Sequence, residues 1–386
     1  MVSNEPSPES TAAPQALHDL DLTGDVADLT AALMDIESVS GQETALADTL
    51  EVALRRLGHL QVHRDGDALV ARTLLGRPER VVLAGHLDTV PLPTTPGARG
   101  TVPATWHGAT LYGRGATDMK GGVAVQLALA ATLPDPNRDV TFIFYDHEEV
   151  EGSKSGLGRL ARNSPELLEG DFAILLEPTN GTVEGGCNGT SRYKVRTRGV
   201  AAHSARAWMG VNAIHAAAPI LAILADYTPA SVDVDGLSYR ESLNAVRING
   251  GIAGNVIPDD CEVEVNYRFA PDKDLAAAQA HVFELFQGFE IERTDGAPGA
   301  RPGLQHPAAA SFVAAVGRTP MPKFGWTDVS RFSALGIPAV NFGPGDALLA
   351  HSDDEHVTRA AIHDCLAALR RWLGGAPQDT AEPAGR

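Results

Sequence analysis

Cysteine is scarce in this sequence. Cys187, Cys261 and Cys365 are far apart and form no CxxC pair. This excludes a disulfide framework and a thiolate zinc site, and it fits a reducing cytoplasm. Positive charge is also in deficit. The formal net charge is −18 over 386 residues, so nucleic-acid phosphate would be repelled and no nucleic-acid partner is expected. An anionic small molecule is not excluded, because a few local arginines or metal ions reverse the potential inside a cleft. Long apolar runs are missing too. None approaches the length of a membrane span, so no membrane partner is expected. The Ser-, Pro-, Glu- and Ala-rich start lacks the apolar stretch of a signal peptide. Residues 1–20 therefore read as a disordered tail, and the end from Gly374 reads as equally loose. No internal repeat is present.

What is there is ordinary for a soluble globular chain, with 44% hydrophobic and 21% charged residues and enough length for two domains. Asp25 to Leu57 has a helical pattern, broken around Ser38 to Gly41. Arg80 to Gly85, Val140 to Tyr145 and Phe172 to Leu176 are short apolar runs that read as buried strands. Gly121 to Leu133, closed by Pro134, reads as a buried helix. Strands alternating with helices predict an α/β layer with a largely parallel sheet. The texture changes near Arg192. Tyr193 to Arg198, Asn244 to Ile248 and Cys261 to Arg268 read as half-exposed strands. Helices are expected over about Asn212 to Asp226 and Leu275 to Phe286. This describes a small α+β domain, residues 192–301, inserted into a discontinuous catalytic domain, residues 21–191 and 302–374. Ala297 to Gly303 reads as the linker back. A helix near Ala308 to Val316, a strand at Ala339 to Phe342 and a helix at Thr358 to Leu373 complete the first layer.

The strong polar signals sit at strand ends or in the loops after them, where ligands bind in open α/β sheets. His86 and Asp88 share one side of an extended chain. A carboxylate two residues from a histidine can accept its second ring N–H and turn the other nitrogen toward a metal. Asp118 lies in a glycine-flanked loop before the buried helix. A phosphate cradle there is disfavoured, because an aspartate at the helix start repels phosphate. Asp146-His147-Glu148-Glu149 follows a buried strand, and like charges packed there repel unless a cation holds them. Two adjacent glutamates also suit two jobs, one binding metal and one moving protons. Taken alone, each signal has a bland reading: a buried histidine satisfied by a neighbour, a glycine loop, a solvated acidic turn, a strand-end Glu177, a loop His351. Together they are the ligand set of a two-metal hydrolytic site, and imidazole with carboxylate suits zinc or cobalt.

In this order, HLDTVP, GRGATDMKGG, the adjacent glutamates and EPT resemble the dizinc peptidase and deacylase family. That family includes aminoacylases, acetylornithine deacetylases, glutamate carboxypeptidases and desuccinylases. The resemblance runs from about Leu29 to Leu373. It implies that His86, Asp118 and Glu177 bind one divalent metal and that Asp118, Glu149 and His351 bind the other, with Asp118 bridging. Asp88 would orient His86, and Glu148 would be the general base. His203 would reach a partner subunit's site from the inserted domain, which would act as lid and dimerisation domain of a homodimer. Asn255 and Arg268 match lid positions linked to recognition of a substrate carboxylate. The expected partner is a small acyl-amino-acid substrate. Ala205 to Ala213, Lys323 to Arg331 and Asn341 to Asp346 are most similar to an actinobacterial desuccinylase branch. Other N-acyl-amino-acid deacylases and metallocarboxypeptidases share the scaffold. A non-catalytic binding protein on this fold would be expected to lack Glu148 or a ligand, and all are present.

Overall fold

The computed structural model describes residues 19–374. The tails expected at 1–20 and from Gly374 lie outside the described residues except at their inner ends. There, Leu20 packs with Leu22 and Val26 into the core rather than trailing from it, and Gly374 closes the last helix.

The three uninterrupted apolar runs form strands Arg80–His86, Asp139–Tyr145 and Phe172–Leu175, the last two buried throughout. They pair in parallel, and Ala339–Asn341 adds in parallel to Phe172–Leu175. A hairpin of Gln61–Asp65 and Ala68–Arg72 extends one side antiparallel. Glu184–Gly185 and Met321–Pro322 complete an eight-stranded sheet on the other. The sheet is thus mixed, with a parallel centre. Residue alternation sends Val81 and Leu83 to one face and Val82 and Ala84 to the other. Helices Val26–Met34, Thr44–Arg55, Lys120–Thr132, Pro307–Val316 and Arg359–Gly374 pack on the first face. Gly156–Asn163 and Val329–Ala334 pack on the second. None of the described helices is long and apolar enough to cross a membrane.

Between the two halves of this layer the chain builds a second sheet of four antiparallel strands. Its spatial order is Ser242–Gly250, Asp260–Phe269, Gly189–Arg198, Glu290–Ala297. Tyr193, Val195, Val263, Val265 and Tyr267 point inward onto helices that include Leu275–Leu285. The single helix expected over about Asn212 to Asp226 is broken at Ala217. Asn212 caps a short turn, Ala213–Ala216, and Pro219 opens a second helix, Ala218–Asp226. Proline has no N–H to continue a helix and is tolerated in a first turn. The strand Glu290–Ala297 is the one member of this sheet absent from the sequence expectation. It is mostly exposed, so it lacks the alternation that marks a strand.

Candidate metal centre

Parallel strands end on the same side, and three neighbouring ends supply the site. His86 is the last residue of Arg80–His86, Glu177 follows Phe172–Leu175, and Glu148 and Glu149 follow Asp139–Tyr145. Asp118 arrives on the loop before Lys120–Thr132, and His351 on the loop after the turn Ala347–Leu349. Three groups of side chains bring ligand atoms within 4.8 Å of one another: His86, Asp118 and Glu177; Asp118, Glu149 and His351; and His86, Glu148 and Glu149. Asp118 belongs to the first two. Its Oδ1 lies 3.0 Å from His86 Nε2 and its Oδ2 3.3 Å from His351 Nε2. Glu149 Oε1 lies 2.9 Å from the same His351 nitrogen.

His86 is held from behind. Its Nδ1 is 2.9 Å from the backbone carbonyl of Asp88 and 3.6 Å from the Asp88 carboxylate. The ring is therefore oriented chiefly by the backbone of Asp88. The buried carboxylate does something else: it accepts the amide N–H groups of Glu148 (2.9 Å) and Glu149 (3.0 Å) and the Ser40 hydroxyl (2.7 Å). One aspartate thus fixes both the histidine and the glutamate pair. Two further buried carboxylates, not singled out from sequence, support the loops. Glu355 accepts the amides of Thr117 (3.0 Å) and Asp118 (3.1 Å), and it holds Arg114 at 2.8 Å. Glu43 accepts the amides of Gly41 (2.8 Å) and His147 (3.2 Å). A glutamate in an irregular segment reads as solvated surface, so only its burial reveals the role. Asp146, part of the acidic run, is turned away onto Arg159 and His147.

The chain supplies more negative charge here than its own side chains balance. Burial, with Asp118 beside it, pushes Glu177 up to about 8. Burial also pushes Glu148 well above the usual range, aided by Glu177, Asp328 and Glu149 and opposed by His86. Asp118 and Glu149 hold the proton on His351, whose pKa rises to about 10. Burial works against protonated His86, yet Asp118 and Asp88 outweigh it and raise the pKa. For Asp88, burial is outweighed by His86, Ser40 and the Glu148 amide, which bring it to about 2. Carboxylates and imidazoles without thiolates, grouped around a shared aspartate, fit divalent cations.

Two cavities open from this centre. One, of ≈ 580 Å³, runs past Glu177, Lys323, Phe324, Trp326 and Leu348. The other, of ≈ 1170 Å³, joins Glu148, Glu149 and His351 to the four-stranded sheet and is lined by Arg192 and Arg268. Arg268 therefore faces the centre across the cleft. Asn255 and His203 line neither cavity. Asn255 accepts the Ser204 amide through its backbone carbonyl at 2.9 Å. His203 is exposed, and its Nδ1 accepts the Ala205 amide N–H at 3.0 Å.

Residues 82–374 match the peptidase family M20/M25/M40. The sequence is 46% identical to a Corynebacterium glutamicum protein named succinyl-diaminopimelate desuccinylase, over 92% of this chain and 97% of that one. It is 53% identical to a Mycobacterium tuberculosis protein provisionally given the same name, over 92% of this chain and 100% of that one. Among solved structures, an M20 metallo-carboxypeptidase of Sulfolobus solfataricus superimposes with a TM-score of 0.74 at 17% identity, covering 91% of this chain and 98% of that one. A dinuclear metal-binding M20 peptidase of Bacillus subtilis gives 0.67 at 17% identity, covering 90% and 96%. These two share the fold.

Proposed function

The chain belongs to the peptidase family M20/M25/M40, and from that premise we propose that it is a succinyl-diaminopimelate desuccinylase. It hydrolyses the amide of N-succinyl-LL-2,6-diaminopimelate to succinate and LL-2,6-diaminopimelate, a step of diaminopimelate and lysine biosynthesis. The observation that carries this reading is the position of Asp118, one oxygen toward each of two histidines, with Glu148 beside the cluster. The desuccinylase relatives, similar over nearly their whole length, supply the substrate.

His86, Asp118 and Glu177 would hold one divalent cation, and Asp118, Glu149 and His351 the other, with zinc the first choice and cobalt the second. Bound there, the cations would supply Lewis-acid chemistry toward water and the scissile carbonyl. Asp88 keeps His86 turned inward and the Glu148–Glu149 backbone in place. Glu148, whose burial favours proton uptake, takes the proton of the attacking water and passes it to the leaving amine nitrogen. Arg268 reads a substrate carboxylate from the lid side of the cleft.

The carbonyl oxygen needs a hydrogen-bond donor as it gains charge. His203 is assigned that role toward the partner subunit's site, with Asn255 on the adjoining turn. Because Nδ1 accepts from Ala205, the ring proton sits on Nε2, ready to donate. A homodimer through the lid domain is supported by the edge strand Ser242–Gly250, which leaves Val246 and Ile248 exposed, with Trp208, Met209 and Ile252 also uncovered. The three thiols are buried and unpaired, which suits the cytoplasm.

The direct test is a panel of succinyl-diaminopimelate, acetylornithine and small dipeptides, assayed with added zinc or cobalt. Strong preference for the succinyl substrate is expected. Preference for acetylornithine or a dipeptide would overturn the assignment.

A further inference from the structure

Two arginines of the four-stranded sheet stand apart from the other cations on the outer face of their two strands. Alternation places Thr190, Arg192, Lys194, Arg196 and Arg198 on one face of Gly189–Arg198. Glu262, Glu264, Asn266 and Arg268 lie on the same face of Asp260–Phe269, and the intervening residues are mostly buried. The register sets Arg192 opposite Asn266 and Arg268 opposite Thr190. The arginines are therefore diagonal neighbours, about 7–8 Å apart at the backbone and within mutual reach of long side chains.

Away from the cleft, the cations of these two strands are neutralised. Lys194 meets Glu262 at 3.0 Å, Arg196 meets Glu262 at 2.9 Å and Glu290 at 3.3 Å, and Arg198 meets Glu290 at 3.2 Å. At the cleft the pattern stops. Arg192 and Arg268 make no ion pair among the described residues, and the Arg268 side chain donates to Asn266 Oδ1 at 3.2 Å. Acidic groups on the same cavity wall do not serve them. Glu264 leans to Arg247 at 3.8 Å and Asp328 is bound by Arg331 at 2.5 Å. Asp295 sits across from Arg192 at a strand irregularity without reaching ion-pair distance. Both arginines line the cavity that also exposes Glu148, Glu149 and His351. Burial and the neighbouring Arg192 charge both lower the pKa of Arg268. Arg192 is exposed and Arg268 half-buried, so the pair is marked less by its cost than by its isolation: two like charges stay side by side without a carboxylate in a protein of net charge −18, and an anion in the cleft would join both.

We infer that Arg192 is a specificity-determining residue that acts with Arg268: together they bind a substrate carboxylate lying outside the scissile amide, while the amide sits at Glu148. This rests on the amidohydrolase reading above. The carboxylate has two sources in an acylated amino acid, the far end of a dicarboxylic acyl group or the α-carboxylate of the amine half. Both are the same chemistry to a guanidinium pair.

The experiment compares wild-type, Arg192→Gln, Arg268→Gln and the double variant as full-length, metal-loaded protein. Three substrates share one amine: the N-succinyl compound, its N-acetyl analogue, and the N-succinyl compound with its α-carboxylates amidated. Arg192→Gln should lower kcat/KM for the N-succinyl compound about 10- to 100-fold, as loss of a charge-assisted hydrogen bond does. Sparing of the acetyl analogue assigns the acyl carboxylate, and sparing of the amidated compound assigns the amine half. Equal loss on all three substrates, or no loss, overturns the inference. Arg293→Gln, on the neighbouring strand and outside the cavity, should change nothing, and thermal melting checks that each variant folds. Calorimetric binding of succinate alone supplies a readout independent of turnover. Each single variant should weaken it, and the double should weaken it by less than the product of the two factors. Multiplicative losses would mean that no carboxylate is shared, and so would also overturn it. If wild-type protein binds succinate but hydrolyses none of the three substrates, the functional reading fails, and the binding cycle still decides the arginine pair.

Discussion

The strand ends of the large sheet and the polar face of the four-stranded sheet handle charge in opposite ways. At the strand ends, Asp118, Glu148, Glu149 and Glu177 crowd around two imidazoles, and Lys323, the lysine whose charge acts on Glu177, is committed to Glu184 at 2.9 Å. On two strands of the four-stranded sheet, Lys194, Arg196 and Arg198 each have a carboxylate at hand, whereas toward the cleft Arg192 and Arg268 make no ion pair among the described residues. Surface charge left unpaired costs little, but partly buried charge left unpaired costs much more. Imbalance inside a cleft therefore marks where a missing counter-charge belongs. Here the two imbalances face each other: one side suits cations, the other an anion.

The sharpest way to break this contrast is at the carboxylate side. Glu148→Gln keeps the shape and removes the proton shuttle. It should cost about 10²–10⁴-fold in kcat while metal content stays near normal, whereas Glu149→Ala should lose one metal, measured by elemental analysis. Near-normal kcat in Glu148→Gln would mean that the extra carboxylate is merely a ligand.

His203→Ala should cost about 10²–10³-fold, the usual effect of losing an oxyanion donor. Mixing it with Glu148→Ala, itself inactive, tests whether the lid serves the other subunit. Random reassortment makes about half the dimers mixed, each with one whole site, so activity should return to roughly a quarter of wild type. Confirmed subunit exchange without recovered activity rejects action in trans. Asp88→Asn should cost less, about 10- to 100-fold, as loss of a group that orients ligands does. Ser40→Ala should cost less still, because the two amide clamps on Asp88 remain.

The smallest effect is on stability, and its sign is informative. Glu177 is raised from the usual 4.5 to about 8 by burial and Asp118. Metal-free folded protein therefore holds this proton when the unfolded chain has released it. That contribution is complete below about 4.5 and is lost as pH rises through about 8. The corresponding slope is up to about 1.4 kcal/mol per pH unit. His351, raised from 6.5 to about 10 by Asp118 and Glu149, acts in the same direction between those values. Chelated protein should thus melt lower at pH 8 than at pH 6, and added zinc should reverse the trend, because cations replace the protons. A chelated protein whose melting point rises over this interval would show that the carboxylates are not held together without metal.

Much of this was legible along the chain. The apolar runs ending in Gly85, Tyr145 and Leu176 marked strand ends, and polar groups after them marked the site, because both are local patterns. The two supports Glu43 and Glu355 were not legible, since nothing local distinguishes a buried loop glutamate from a solvated one. Asp88 was half legible. Its spacing to His86 pointed to that ring, but its carboxylate went to the amides of Glu148 and Glu149, some sixty residues away. The break at Ala217 was missed although Pro219 was in plain sight, because the surrounding apolar period outweighed one residue.

By itself, the sequence determined the chemistry on offer: histidines and carboxylates at strand ends, no usable thiolates, arginines on an alternating strand. Those follow from residue type and from periods of two and 3.6, which are properties of neighbours in the chain. Only the tertiary structure decided which groups meet. Asp118 touches both His86 and His351, and Arg192 lies diagonal to Arg268 without reaching ion-pair distance of Asp295 across the strand. Such pairings join residues tens to hundreds of positions apart. They are settled by how strands stack and where loops return, and local propensity carries no information about either.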